Sequence, residues 1–246
     1  MAGNRAYRLH VTGIRLSEAG NQDKAQENFT QALKAYETAM EKGCTTVRTL
    51  MAYGVLLMRS GQFEKAQSVM LKTQKLKGLT ADDTRRLGMN YAVCQWKLDH
   101  LDDAIARLKR IYQDGKNSTL YGSLGYMLIE KAIQTGDFSE ARAFNDEAYE
   151  YDPDDAVTLD NMGQLAYVQG DIEGAKAYFL HAHEVKPTQA DTLYYLAKIA
   201  HEQGNSDTAR DYINRCLKLN PSALSTTSKE QAQALSKEII ADEQEA

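Results

Sequence analysis

The chain has three prolines, and they stand 34 residues apart at Pro153, Pro187 and Pro221. Proline lacks the amide that a helix interior needs and pushes the residue before it out of helical space. Helix breakers at one fixed spacing therefore mark a chain built from helical units of one length, stacked in series. Other residues keep the same spacing: Gly136, Gly170 and Gly204, and again Ala141, Ala175 and Ala209. An architecture of this kind offers a surface for binding rather than an enclosed site for chemistry.

The clearest unit runs from Ala156 to Gln189. Leu159, Met162, Gly163 and Ala166 follow helical spacing, and Gly170-Asp171 reads as a turn with an acid at the start of the next helix. The second helix carries Ala175, Phe179 and Ala182 before Pro187. Small residues at Gly163 and Ala175 let two antiparallel helices approach, Ala182 lets the next pair stack, and Phe179 fills the gap between them. This pattern resembles the tetratricopeptide repeat (TPR), in which a large apolar residue, Leu-Gly, an aromatic, Ala, Phe, Ala and Pro hold set places. The resemblance implies an all-α fold, a right-handed α-α superhelix of about six helix pairs with a C-terminal capping helix.

The unit from Ala190 to Ala223 repeats the pattern with Leu193, Leu196, Ala197, Gly204, Ala209, Ile213, Cys216 and Pro221. In the unit before, Tyr121, Leu124, Gly125 and Leu128 match the first half, but Gly136 comes four residues late. Four residues make about one helical turn, which predicts a lengthened first helix from Thr119 to Thr135. The early units are looser. One has Leu9, Gly13, Leu16, Gly20, Ala25, Phe29 and Ala32, and another has Leu50, Gly54, Leu57, Gly61, Ala66 and Met70. A third has Gly88, Ala92, Ala104 and Leu108, with Asp99 where the turn glycine belongs. Repeats are thus expected over residues 6–223, and a capping helix with an acidic tail over 224–246. Ser228 and Gln231 form a capping box, after which Ala232, Leu235 and Ile239 fall on one helix face.

A net charge of −5 argues against a nucleic-acid footprint, which needs a concentrated basic face. No stretch reaches the apolar length of a membrane span, and the first residues lack a signal-peptide core. Cys44, Cys94 and Cys216 are odd in number and show no metal or redox spacing. They read as reduced packing residues and favour the cytoplasm.

His181 and His183 are two apart and diverge on a helix. The acids of Asp152 to Asp155 lack the glycine and distal glutamate of a calcium loop, and read as an inter-unit turn that caps the next helix. Asn117-Ser118 reads as a helix start, and no nucleophile motif or phosphate-binding loop is present. No cofactor, metal or enzymatic activity is expected.

In the family the first helix of each pair lines a concave groove. The resemblance puts Arg48, Met51, Val55, Arg59, Arg86, Met89, Asn90, Val93, Trp96 and Lys97 there from the early units. Tyr126, Asn161, Gln164, Tyr167, Tyr194, Tyr195 and Lys198 come from the later ones, with Asp160, Asp191 and Glu202 beside them. Met, Tyr, Trp and Arg are enriched at binding surfaces. Trp96, Tyr126 and Asn161 are expected along one continuous surface. The basic early residues would face the acidic end of a ligand. In relatives an asparagine at the place of Asn90 and Asn161 holds a ligand amide. The alternative for Asn90 and Asn161 is a buried structural role, and for Met51, Met58, Met89 and Val93 it is packing between neighbouring first helices. The dicarboxylate clamp known in the family is not matched. Its places hold His10 and Ile14, then Ala52, then Arg86 and Asn90, of which Arg86 alone has the required charge. The expected function is a non-catalytic adaptor that binds a peptide or helix of a protein partner. Self-association as a structural protein, or assembly of a cell-envelope machine, are the alternatives.

Overall fold

A computed structural model describes residues 2–44, 46–219 and 224–245. Pro221, the last of the three periodic prolines, and the chain end at Ala246 lie outside the described residues. The described chain is helical throughout: α1 (Ala2–Glu18), α2 (Gln22–Glu41), α3 (Val47–Arg59), α4 (Phe63–Gln74), α5 (Ala81–Lys97), α6 (Leu101–Asp114), α7 (Ser118–Thr135), α8 (Ser139–Tyr151), α9 (Ala156–Val168), α10 (Ile172–Val185), α11 (Ala190–Glu202), α12 (Ser206–Leu217) and α13 (Lys229–Glu245). These form six pairs followed by a single helix. They group into two compact units, Met1–Ile111 and Tyr112–Ala246.

Local chemistry explains the helix boundaries. Thr80 and Asp83 form a reciprocal capping box at the start of α5, and Ser228 with Gln231 does the same at α13, at 2.7 and 3.1 Å. Asn117, Asp155 and Asp171 each accept an amide of the first turn at 2.8–3.0 Å. These bonds satisfy donors that a helix start leaves open. The turn inside each pair needs a left-handed residue. Glycine supplies it at Gly20, Gly61, Gly136, Gly170 and Gly204, and Asp99 adopts φ 62° in the remaining pair. Aspartate is among the few side chains that tolerate this region.

Within a pair, a small residue on the first helix meets a large one on the second. A methyl on Gly163 would lie 2.7 Å from the Phe179 ring, and one on Gly13 would lie 2.6 Å from Phe29. In the first unit, α1 touches α3 and α3 touches α5. In the second, α7 touches α9, α9 touches α11, and α11 touches α13. First helices therefore run side by side in each unit. α13 packs on both α11 and α12, the place a further first helix would take. Its Ala232, Leu235 and Ile239 join Leu193, Ala197, Ile213 and Cys216 in one apolar cluster.

Candidate functional site

In the first unit the expected residues divide by depth. Arg48, Val55 and Arg59 are exposed along α3, and Met51 is half-buried between them. The Arg48 guanidinium lies 4.2 Å from the centre of the Tyr7 ring on α1. That of Arg59 lies 4.6 Å from the Phe29 ring and donates to Ser17 Oγ at 3.3 Å. Aromatic faces hold cations in this way and fix their direction. Val55, 43% exposed between these two cations, is an apolar residue presented to solvent.

On α5, Arg86 is exposed and pairs with Asp82 at 3.2 Å, while Asn90 is half-buried. Met89, Val93 and Trp96 are buried, Trp96 to 8% exposure. The Lys97 ammonium stands 3.8 Å from the Trp96 ring centre. Between α1 and α2, His10 Nδ1 is 3.3 Å from the Tyr36 hydroxyl. Burial, then the nearby Arg59 charge, pushes the His10 imidazole down to about 4, so it is neutral at pH 7.

The second unit is tyrosine-rich and acidic on the corresponding helices. Tyr195 stacks on Phe179 at 5.0 Å and meets Tyr167 and Tyr194 edge-on at 5.4 Å each. Lys198 lies 5.0 Å from the Tyr167 ring centre. Tyr126 is half-buried, and its phenol is pushed up by burial and then by Glu130.

Asn161 and Gln164 are buried before any ligand is bound, each 2% exposed. Asn161 Nδ2 donates to the Gly122 carbonyl at 2.9 Å. Gln164 Nε2 donates to Asp160 Oδ2 at 2.6 Å and to Thr226 Oγ1 at 3.3 Å. Both amides thus serve internal contacts that tie α9 to its neighbours. Asp160 is 3% exposed and accepts the Thr192 hydroxyl at 2.5 Å. Burial, and then the charge of Asp191, raises its carboxyl up to about 7.

Sequence reading put Asp160 and Asp191 on these helices but gave no sign that one would be sealed inside. It also gave no sign that the segment before α13 would reach Gln164. The run Leu-Ser-Thr-Thr-Ser from Leu224 to Ser228, unusual in its hydroxyl content, was the available signal. His181 and His183 diverge, as two residues so spaced on a helix should: His181 pairs with Asp154 at 3.1 Å, and His183 with Arg215 at 2.9 Å. Among the described residues no three His, Cys, Asp or Glu gather as a metal site would require, and no helix is long and apolar enough to cross a membrane.

Residues 161–223 match the tetratricopeptide repeat family model. No curated protein matches the chain in sequence. Among solved structures, one that matches is the APC/C hetero-tetramer Cut9–Hcn1, with a TM-score of 0.65 at 17% identity over 94% of this chain. This chain spans 42% of the length of that one. TTC0263, a thermophilic TPR protein of Thermus thermophilus, matches with a TM-score of 0.63 at 15% identity, over 80% of this chain and 100% of the other. PilW, a type IV pilus biogenesis factor, matches with a TM-score of 0.59 at 16% identity, over 94% of this chain and 98% of the other. At these identities the likeness is one of fold. With the helix pairs and the periodic residues, it shows a tetratricopeptide-repeat fold, and residues 161–223 carry the family's sequence pattern.

Proposed function

We propose that this protein of tetratricopeptide-repeat fold is a non-catalytic adaptor. It holds a peptide or helical segment of a protein partner against the first-helix faces of its repeats. The observation that carries the reading is the stripe Arg48, Met51, Val55 and Arg59 on α3. There an exposed apolar side chain sits between two cations that are held in place by aromatic rings. Preformed contacts of this kind lower the ordering cost of binding. An acidic stretch of the ligand pairs with Arg48, Arg59 and Arg86, and apolar side chains lie on Met51 and Val55. On the neighbouring α5, Met89, Val93 and Trp96 are buried and Asn90 is half-buried among them.

In the second unit, Tyr167, Tyr194, Tyr195 and Lys198 are the contact residues. Asn161 and Gln164 act there by holding α9 in register, and Tyr126 borders them on α7. The test is capture of partners from cells that make the protein, with wild type, Val55→Glu and Leu71→Glu compared. Leu71 is on α4 and is also 43% exposed. Partners that are lost with Val55→Glu and kept with Leu71→Glu fit the reading. Partners lost with neither or only with Leu71→Glu refute it.

A further inference from the structure

The segment just before α13 lies on the first-helix face of the second unit in the manner of a bound peptide. One oxygen, Asp191 Oδ1, accepts four hydrogen bonds from it. These come from the Ser225 hydroxyl at 2.7 Å, the Thr226 amide at 3.0 Å, the Thr226 hydroxyl at 3.1 Å and the Thr227 amide at 2.7 Å. Gln164 Nε2 completes the set by donating to Thr226 Oγ1 at 3.3 Å. Ser225 and Thr227 are 6% and 5% exposed as a result.

Asp191 is the second residue of α11, and Gln164 stands on α9. Both belong to the helices on which the family pattern sets the groove. Hydrogen bonds to an ionised carboxylate are stronger than neutral ones. Two successive amides aimed at one carboxylate form a main-chain contact that does not depend on side-chain identity. The hydroxyls and Gln164 add selectivity. Beneath them, Gln164 also bonds buried Asp160, so contact at the surface is linked to the interior of α9. α13 follows directly and is anchored by Ala232, Leu235 and Ile239, which keeps the segment at a high effective concentration over its site.

We propose that Ser225–Thr227 is an internal ligand of the C-terminal groove. The partner peptide that enters there displaces it by offering Asp191 the same chemistry, two successive backbone amides and a hydroxyl. The inference rests on the adaptor reading above and identifies its second-unit ligand as an extended serine- or threonine-containing segment. It also makes that half of the groove self-occupied until a ligand competes. Access to Asp191 is reduced by the fraction of molecules in which the segment is docked.

Amide exchange and peptide binding, both read by NMR on the full chain, test it. In wild type the Thr226 and Thr227 amides should exchange about tenfold or more slowly than in a free peptide, and Asp191→Ala should remove that protection. The probe is a capped synthetic peptide of residues 224–229, added up to millimolar concentration. It should shift resonances of α9 and α11 in a variant carrying Ser225→Ala and Thr227→Pro. It should bind wild type about tenfold or more weakly. It should not bind when Asp191→Ala is added to that variant, with circular dichroism unchanged in each. Unprotected amides in wild type, or the same peptide response in wild type and the strap variant, including none in both, would overturn the proposal. Capture that depends on Val55 involves the other unit. Its persistence alongside a negative result here would leave the adaptor reading standing, and its loss would remove that reading instead.

Discussion

At Gly163 the absence of a side chain decides how closely α9 and α10 approach. A Cβ there meets the Phe179 ring at 2.7 Å, well inside van der Waals contact. Gly163→Ala is therefore expected to cost about 1–3 kcal/mol, the range of overpacked cores, seen as a lower midpoint in thermal denaturation. Phe179→Leu in the same chain should recover part of the loss, because it withdraws the ring. An unchanged midpoint for Gly163→Ala would contradict this packing. Such small-against-large pairs were legible in the sequence because they recur at a fixed offset. Asn145 was not. It occupies the place of Phe179 in its own repeat, fully buried, with Nδ2 donating to the Ala141 carbonyl at 2.8 Å and the Gly125 carbonyl at 3.2 Å. A polar residue at a core position carries no periodic signal that separates it from a surface one.

Asp160 gives a second residue-level prediction. Its carboxyl is raised up to about 7 by burial and then by Asp191, above the ordinary aspartate value of about 3.9. The unfolded chain therefore releases this proton first. The group's stabilising effect is complete below the unfolded value and fades as pH rises through the folded one. The urea midpoint of wild type should fall between about pH 4 and pH 7 relative to that of Asp160→Asn, which cannot titrate. A wild-type midpoint that rises against the variant across that window would contradict the burial. That Asp160 lies on α9 was legible in the sequence. Its sealing by Gln164 of the same helix and by Gln189 and Thr192 at the start of α11 depends on one other part of the chain brought against α9.

The elements follow the repeat closely, and the departures have physical causes. The late arrival of Gly136 predicted one extra turn in the first helix of its unit, and α7 runs from Ser118 to Thr135. The missing turn glycine at Asp99 produced no longer loop. Aspartate itself takes the left-handed conformation between α5 and α6. The C-terminal helix was legible from its capping box and its apolar stripe. The docking of the segment before it was not, because a Ser/Thr run reads equally as a solvent-exposed linker. Deleting residues 224–246 should uncover Leu193, Ile213 and Cys216, which pack with Ala232, Leu235 and Ile239. Lost burial of one Leu, one Ile and one Ala amounts to about 4–6 kcal/mol as an upper estimate. The truncated chain should melt at lower temperature and aggregate. An unaltered melting curve would mean that α12 needs no cover.

For the whole molecule, the proposed ligand face is the one the family pattern implies, and the depth of each side chain shows how that face is made. The sequence alone could not separate exposed from buried members of a first helix, since Val55 and Val93 stand in equivalent company on α3 and α5. Three dimensions separate them, at 43% and 3% exposure. The central claim, that partners lie on the first-helix face, is tested most directly by a photo-crosslinking residue. Benzoylphenylalanine would replace either Val55 on α3 or Leu71 on α4, both 43% exposed, in cells that make the protein. The account predicts a discrete crosslinked partner from position 55 and none from position 71. Crosslinks from position 71 with none from position 55 would contradict it.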